Sequence, residues 1–185
     1  MAITLDGTSG ITTPGVVGNL SVSGNTTVGG TLTNTGLITA SAGVAIGGVG
    51  AANTLDDYEE GTWTPVIDSG AFTSITYIGG RQVGTYTKVG NLVTAYITLQ
   101  FNGTSAGGNF RINGLPFPSK FDNAAKGMFI VYSTASTYLD DGNPNMYIGP
   151  NQTYIRAYKS DGNPANSNAN ASNDWFEGVV VYNAE

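Results

Sequence analysis

Residues 18–36 read GNLSVSGNTTVGGTLTNTG, with Gly18, Gly24, Gly30 and Gly36 each six residues apart. Taken at every second position, residues 14 to 48 run Pro, Val, Gly, Leu, Val, Gly, Thr, Val, Gly, Leu, Asn, Gly, Ile, Ala, Ala, Val, Ile, Gly. The odd positions between Asn19 and Ser41 are nearly all Asn, Ser or Thr, with Gly29 and Leu37 as exceptions. Period two is the strand period, because successive side chains point to opposite faces. A helix would mix the two sets. Within the apolar row every third member is Gly18, Gly24, Gly30, Gly36 or Gly48, with Ala42 in the remaining slot. The row therefore needs an almost bare residue once per repeat, where backbones approach closely or bend.

A single-chain β-helix built on hexads needs about three per coil and at least three stacked repeats. These hexads would give it only about two coils. Three copies of the chain, each supplying one face per layer, stack the same hexads into about six layers and bury the apolar row. The expected shaft is thus a homotrimeric, intertwined β-helix or β-spiral over residues 15–50, at most roughly 115 Å long if fully extended. Asn34 departs from the apolar row and is read as a hydrogen-bonding ladder among copies, with an axial ion as the alternative. A flexible Gly/Ser/Thr linker is the alternative for the whole stretch, but a linker has no reason to keep the parity of Val, Leu and Ile.

Composition agrees with an elongated β part joined to something else. Residues 1 to 57 hold no aromatic residue, and every Trp, Tyr and Phe lies from Tyr58 onward. Through residue 60 the charges are Asp6, Asp56, Asp57, Glu59 and Glu60, a balance of −5, whereas the remainder has 7 basic and 8 acidic residues. The net charge of −6 with no clustered Lys or Arg argues against a nucleic-acid groove. The absence of Cys and His removes disulfides, thiol nucleophiles and the commonest metal ligand and general base. The opening MAITLDGTSG has no signal-peptide pattern and no stretch reaches the length of a membrane span, so the expectation is a protein made in a cytoplasm with no membrane insertion.

The junction, residues 51–66, reads as a short helix: Thr54 as N-cap, Asp57 at N3, Asp56 on the positive end and Gly61 as the stop. Asp56, Asp57, Glu59 and Glu60 could instead hold a cation, although their spacing matches no calcium loop, and no metal is expected. Trp63 and Pro65 are read as packing and strand initiation.

Residues 67–185 read as an all-β head, a jelly-roll-like β-sandwich. QVGTYTKVGNLVTAYITLQF holds two alternating runs around Val89, Gly90 and Asn91, a hairpin signal, and places Val93, Ala95, Ile97, Leu99 and Phe101 on one core face. Further strand-like runs are NFRING (109–114), GMFIVYS (127–133), NMYIG (145–149), TYIRAY (153–158) and FEGVVVYN (176–183). YIGG at 77 to 80 is read as a turn. Two polar loops, YLDDGNPN (138–145) and KSDGNPANSNANASNDW (159–175), share the tripeptide GNP. Asp-Gly and Asn-Pro are turn chemistry and need no further role. Amides and carboxylates beside aromatic faces also grip sugar hydroxyls, which makes Tyr138, Asp140, Asp141, Asn143, Asn145, Asn166, Asn168, Asp174 and Trp175 candidate glycan or receptor contacts. The close acid pairs Asp140 with Asp141 and Asp174 with Glu177 are poor material for glycoside hydrolysis, and no P-loop, dinucleotide fingerprint or nucleophile elbow is present; no enzyme and no cofactor is expected.

GNLSVSGNTTVGGTLTNTG resembles the shaft repeat of bacteriophage tail fibres and tailspikes. MAITLDGTSGITTPG is similar to the opening of small virion fibre proteins, NTLDDYEEGTWTPVI resembles the junction where such shafts meet a C-terminal β head, and GTYTKVGNLVTAYITLQF followed by INGLPF is similar to the head module beyond it. The resemblance covers about residues 1 to 117. It implies a virion structural protein whose segment 1–14 docks to a tail, baseplate or capsid protein, and whose head meets a host-surface glycan or protein. Host attachment by a short tail fibre is the main implication. A capsid-attached head fibre or a baseplate fibre is the alternative, and a polysaccharide depolymerase a remoter one.

Overall fold

Val93, Ala95, Ile97, Leu99 and Phe101 leave strand β6 (Leu92–Ser105) on one face and are all buried, the most exposed of them, Ile97, at 3%. Burying the Val, Ile, Leu and Phe among them contributes roughly 1.5–3 kcal/mol each, so this one strand anchors the core. The computed structural model describes residues 23–46, 54–121, 127–133 and 145–185. The chain divides into two units, Met1–Thr39 and Ala40–Glu185.

In the first unit the described chain bends at Ser23–Gly24, Gly29–Gly30 and Thr35–Gly36. The bends thus recur at the six-residue interval of the sequence, and the next one, a turn at Ser41–Ala42, falls at the start of the second unit. Asn34, a polar member of the apolar row, donates from Nδ2 to the Gly36 carbonyl at 2.8 Å. Gly18, Gly48 and the segment 1–14 lie outside the described residues.

The second unit is all-β, with no helix among the described residues. A two-stranded ladder joins β1 (Val44–Ala45) to β2 (Thr54–Leu55). The remaining strands are β3 (Tyr58–Trp63), β4 (Val66–Ile67), β5 (Phe72–Val89), β6, β7 (Arg111–Asn113), β8 (Gly127–Ser133), β9 (Asn145–Ile148), β10 (Tyr154–Tyr158) and β11 (Ala171–Asn183). They form one antiparallel sheet in the order β3-β5-β6-β11-β8-β9-β10-β7-β4. Laid flat at about 4.8 Å per strand its edges would stand roughly 38 Å apart. Yet the edge strands β3 and β4 are joined only through Thr64 and Pro65, a span of about 11 Å at most. The sheet must therefore curl until its two edges meet at that corner, enclosing a single core. Phe72, Phe101, Phe110 and Phe176 fill it, with Phe72 edge-on to Phe101 at 5.4 Å and Phe110 stacked on Phe176 at 5.3 Å. The successions β11-β8-β9-β10 and β7-β10-β9-β8 each place an outer strand beside the far end of a three-strand meander, so two Greek keys overlap. The all-β class expected from the sequence is what the structure shows, with one hydrogen-bond ladder running through all nine strands.

The expected turn between β5 and β6 is present, with Gly90 at φ +56°. The glycines of YIGG, by contrast, do not end a strand. Between Tyr77↔Phe101 and Gln82↔Leu99, β5 takes five steps while β6 takes two, so Gly79 and Gly80 sit in a bulge. Bare residues in a strand interior serve such an irregularity as readily as a turn.

The expected junction helix is absent. Thr54 lies in β2, and Tyr58 through Trp63 pair residue by residue with Val89 through Gly84. A helix of one or two turns does not recover its nucleation cost, whereas β3 gains a full ladder on β5. Gly61 is not a helix stop: it faces Tyr86, whose ring fills the space a Cβ would need. Asp57 is not a capping residue either, for its carboxylate pairs with the Lys88 ammonium and its carbonyl accepts from Gly90 N–H at 2.7 Å. Trp63 and Pro65 are core residues.

Candidate functional site

The long polar loop after β10 is built as turn chemistry. Asp161 Oδ1 accepts the Asn163 N–H at 2.8 Å, Gly162 N–H donates to Lys159 O at 3.0 Å, and Gly162 takes φ +84°. Asn163's amide N–H holds the Asp161 carboxyl below the usual carboxylate range. Further on, Ala165 is tied by N–H to Ala157 O at 2.9 Å and by O to Phe110 N–H at 2.8 Å. Buried Ser167 donates to Ala71 O and accepts from Gly107 N–H at 3.1 Å. The loop is pinned to the core along its length.

Of the candidate contact residues, Tyr138, Asp140, Asp141 and Asn143 lie outside the described residues. The others do not form one cluster. Asn166 bridges to Asn109, and Asn168 is exposed on the same loop. Asn145 opens β9 opposite Tyr158, with β8 standing between it and β11. Asp174 and Trp175 lie on β11, just past a bulge at Asn173, which is clamped by Asn102 Oδ1 on its N–H (2.7 Å) and by Gln100 Nε2 on its Oδ1 (2.8 Å). Burial pushes the Asp174 carboxyl up, against the opposing hydrogen bond from Ser172 N–H. The Arg81 guanidinium lies 5.4 Å from the Trp175 ring centre. Asp174 and Glu177 are three apart in a regularly paired strand, so they leave on opposite faces and do not converge. Among the described residues no group of acidic side chains is arranged to hold a metal ion.

A different surface gathers more chemistry. On β10 the inward residues Ile155 and Ala157 are buried, so Tyr154, Arg156 and Tyr158 share the outer face. Arg156 stands opposite Arg111 of β7 on one side and Tyr147 of β9 on the other. Its guanidinium is a hub, with Nη1 to Tyr158 OH at 3.4 Å and Nη2 to both Gln152 Oε1, at 3.2 Å, and Tyr154 OH. The Tyr154 ring centre lies 4.9 Å from Arg156 Cζ and 5.1 Å from Arg111 Cζ. Tyr147 and Tyr158 pack at 5.0 Å between ring centres. Burial raises the Tyr158 hydroxyl, but hydrogen bonds with Arg156 and Tyr147 and the charges of Arg156 and Arg111 outweigh it and leave the group below its ordinary value. Composition does not single out this patch, but period two does: TYIRAY is Tyr-x-Arg-x-Tyr, which puts all three polar-tipped side chains on one face.

Compared with protein-family models, with curated proteins and with solved structures, the chain finds no match.

Proposed function

We propose that the chain is a structural fibre protein of a bacteriophage virion: a homotrimer whose segment 1–14 docks to the particle, whose glycine-hexad stretch forms an intertwined β shaft, and whose jelly-roll-like head meets the host-cell surface. The observation that carries the reading is the six-residue bend with its uncovered apolar row. Leu32 and Ile38 are 70% and 63% exposed, and Val28, Val44 and Ile46 are exposed too. An added Cβ at Gly24, Gly30 or Gly36 would meet nothing within 4 Å, and none of the three has positive φ. Nothing among the described residues accounts for bare residues there. Sister chains packed against the row would account for both the apolar parity and the glycines.

The head offers a second surface of the same kind. Val83 on β5, Tyr96 on β6 and Val181 on β11 are exposed on the outer face, among the threonines Thr85, Thr94 and Thr98. Such a face suits contact with a second copy. The overlapping Greek keys support the jelly-roll-like assignment of the head. Adsorption then rests on geometry and on avidity from repeated heads rather than on catalysis.

Sedimentation at micromolar concentration tests the assembly. A trimer is expected, and a monomer overturns it. Labelling of intact particles with an antibody to the head places the protein: signal at the tail tip upholds host attachment, whereas signal on the shell selects a capsid head fibre instead.

A further inference from the structure

Arg111 and Arg156 are directly opposed in the β7–β10 pairing, and like charges in that position repel. Both guanidiniums lie over the Tyr154 ring, which relieves only part of the repulsion. The ion pairs among the described residues are Lys88–Asp57 and Lys159–Asp161, so neither arginine has a carboxylate partner there. Asp68, whose N–H donates to the Arg111 carbonyl at 3.1 Å, has its carboxylate engaged with Gly70 N–H at 2.7 Å and Asn113 Nδ2 at 3.4 Å. Both Nε–H groups are buried without an acceptor, and no side chain among the described residues accepts a hydrogen bond from Arg111. The fold has gathered two of the chain's three arginines on one face with no carboxylate partner among the described residues.

What surrounds them is equally specific. Tyr147, Tyr154 and Tyr158 are half-buried, Asn113 and Asn145 carry amides on β7 and β9, and Gln152 adds another just before β10. An anion on the guanidiniums, a flat ring on a tyrosine and hydroxyls on the amides are the parts of one ligand type. We propose that the outer face of β7, β10 and β9 binds an acidic saccharide, its carboxylate or phosphate held by Arg111 and Arg156 and its pyranose ring stacked on the tyrosines. The site deepens the host-contact reading by naming a ligand class, and it differs from the polar loops in lying on rigid strands. Binding by one head is weak, and repetition on a trimer multiplies it.

The purified full chain is passed over surfaces bearing, at equal density, glucuronic acid, glucose 6-phosphate, glucose, or a carboxylate on a plain alkyl chain. Retention on one or both acidic sugars at least tenfold above glucose and above the alkyl carboxylate is expected, falling as salt is raised. Which acidic sugar wins distinguishes a uronic acid from a sugar phosphate. The double variant R111Q/R156Q loses that retention while its melting temperature stays level or rises, because a repulsive pair has gone. K120Q, which removes one exposed positive charge elsewhere, keeps it. Equal retention on glucose, equal retention on the alkyl carboxylate, no retention on either acidic sugar, or undiminished retention by R111Q/R156Q each overturns the site. A trimer located on particles that ignores acidic sugars fails this inference alone; a monomer that binds them upholds it and fails the fibre reading.

Discussion

Gly84 stands opposite Trp63 in the β3–β5 pairing, and the indole fills the space that any side chain at 84 would occupy. Trp63 is held there by its own hydrogen bond, Nε1–H to the Tyr96 carbonyl at 3.1 Å. A methyl group at 84 overlaps the ring and drives it off that carbonyl. Gly84→Ala is therefore expected to cost roughly 2–4 kcal/mol, combining overpacking with a lost hydrogen bond. Urea unfolding of the variant measures this, and a change below about 0.5 kcal/mol would show that the corner where the sheet closes does not depend on the pair.

Lys88 is 7% exposed, and its ammonium is matched by Asp57, itself nearly half exposed at 48%. The Lys88 ammonium also lies 5.4 Å from the Phe117 ring centre. Removing the acid leaves a buried cation with only that ring; removing the cation with an apolar side chain of similar length leaves a carboxylate free to hydrate. Asp57→Asn is thus expected to cost about 1–3 kcal/mol and Lys88→Met less than about 1 kcal/mol, because only the first strands a buried charge. Thermal melts of the two variants that rank them in the opposite order contradict the assignment.

Burial pushes the Tyr182 hydroxyl up to about 12, although the hydrogen bond its oxygen accepts from the Phe117 N–H at 3.4 Å works the other way. The side chain is 2% exposed and donates to Phe117 O at 3.0 Å. The unfolded chain releases this proton near the ordinary tyrosine value of about 10. Between roughly pH 10 and 12 the native state therefore holds a proton that the unfolded state has lost, so stability is intact below 10 and declines as pH rises through 12. The decline attributable to this group is at most about 3 kcal/mol. Tyr182→Phe lowers stability at pH 7 by about 1 kcal/mol through the lost hydrogen bond and flattens the alkaline limb. Urea midpoints measured at pH 7 and pH 11 check both effects; an equally steep limb in the variant removes Tyr182 as its cause.

What was legible in the sequence is what period two can carry. Val93 through Phe101 declared both their strand and its buried face, and Val89-Gly90-Asn91-Leu92 declared the hairpin, because both signals are local. The junction misled for the opposite reason. Thr54, Asp57 and Gly61 satisfy a helix's local preferences, and what overrides them is pairing at a distance: Thr54 with Ala45 of β1, and the strand from Tyr58 with β5, Gly61 meeting Tyr86 25 positions on. The bulge at Gly79 and Gly80 was likewise invisible, since only the spacing on the partner strand shows that the chain passes straight through. As for the site, the polar loops drew notice by composition, while Arg111 and Arg156, 45 residues apart in sequence, become neighbours only through the β7–β10 register.

The proposed shaft yields the sharpest expectation, because one chain and three respond differently to the same change. At Gly36 an added side chain meets nothing within 4 Å, and the backbone there is not in a region closed to other residues. For an isolated chain Gly36→Val should therefore be silent, within about 0.5 kcal/mol of the parent, as is usual for surface substitutions. In a three-stranded shaft the same change inserts three branched side chains into one layer around a shared axis. Overpacking of that kind costs about 1–3 kcal/mol per site, applied three times in a single layer. Gly36→Val is expected to convert a stable trimer into a concentration-dependent mixture, while Thr33→Val, on the polar row, leaves it assembled. Sedimentation of both variants across a hundredfold range of concentration reads the outcome. If Gly36→Val sediments as the parent does, the six-residue beat has a cause other than close approach between sister chains.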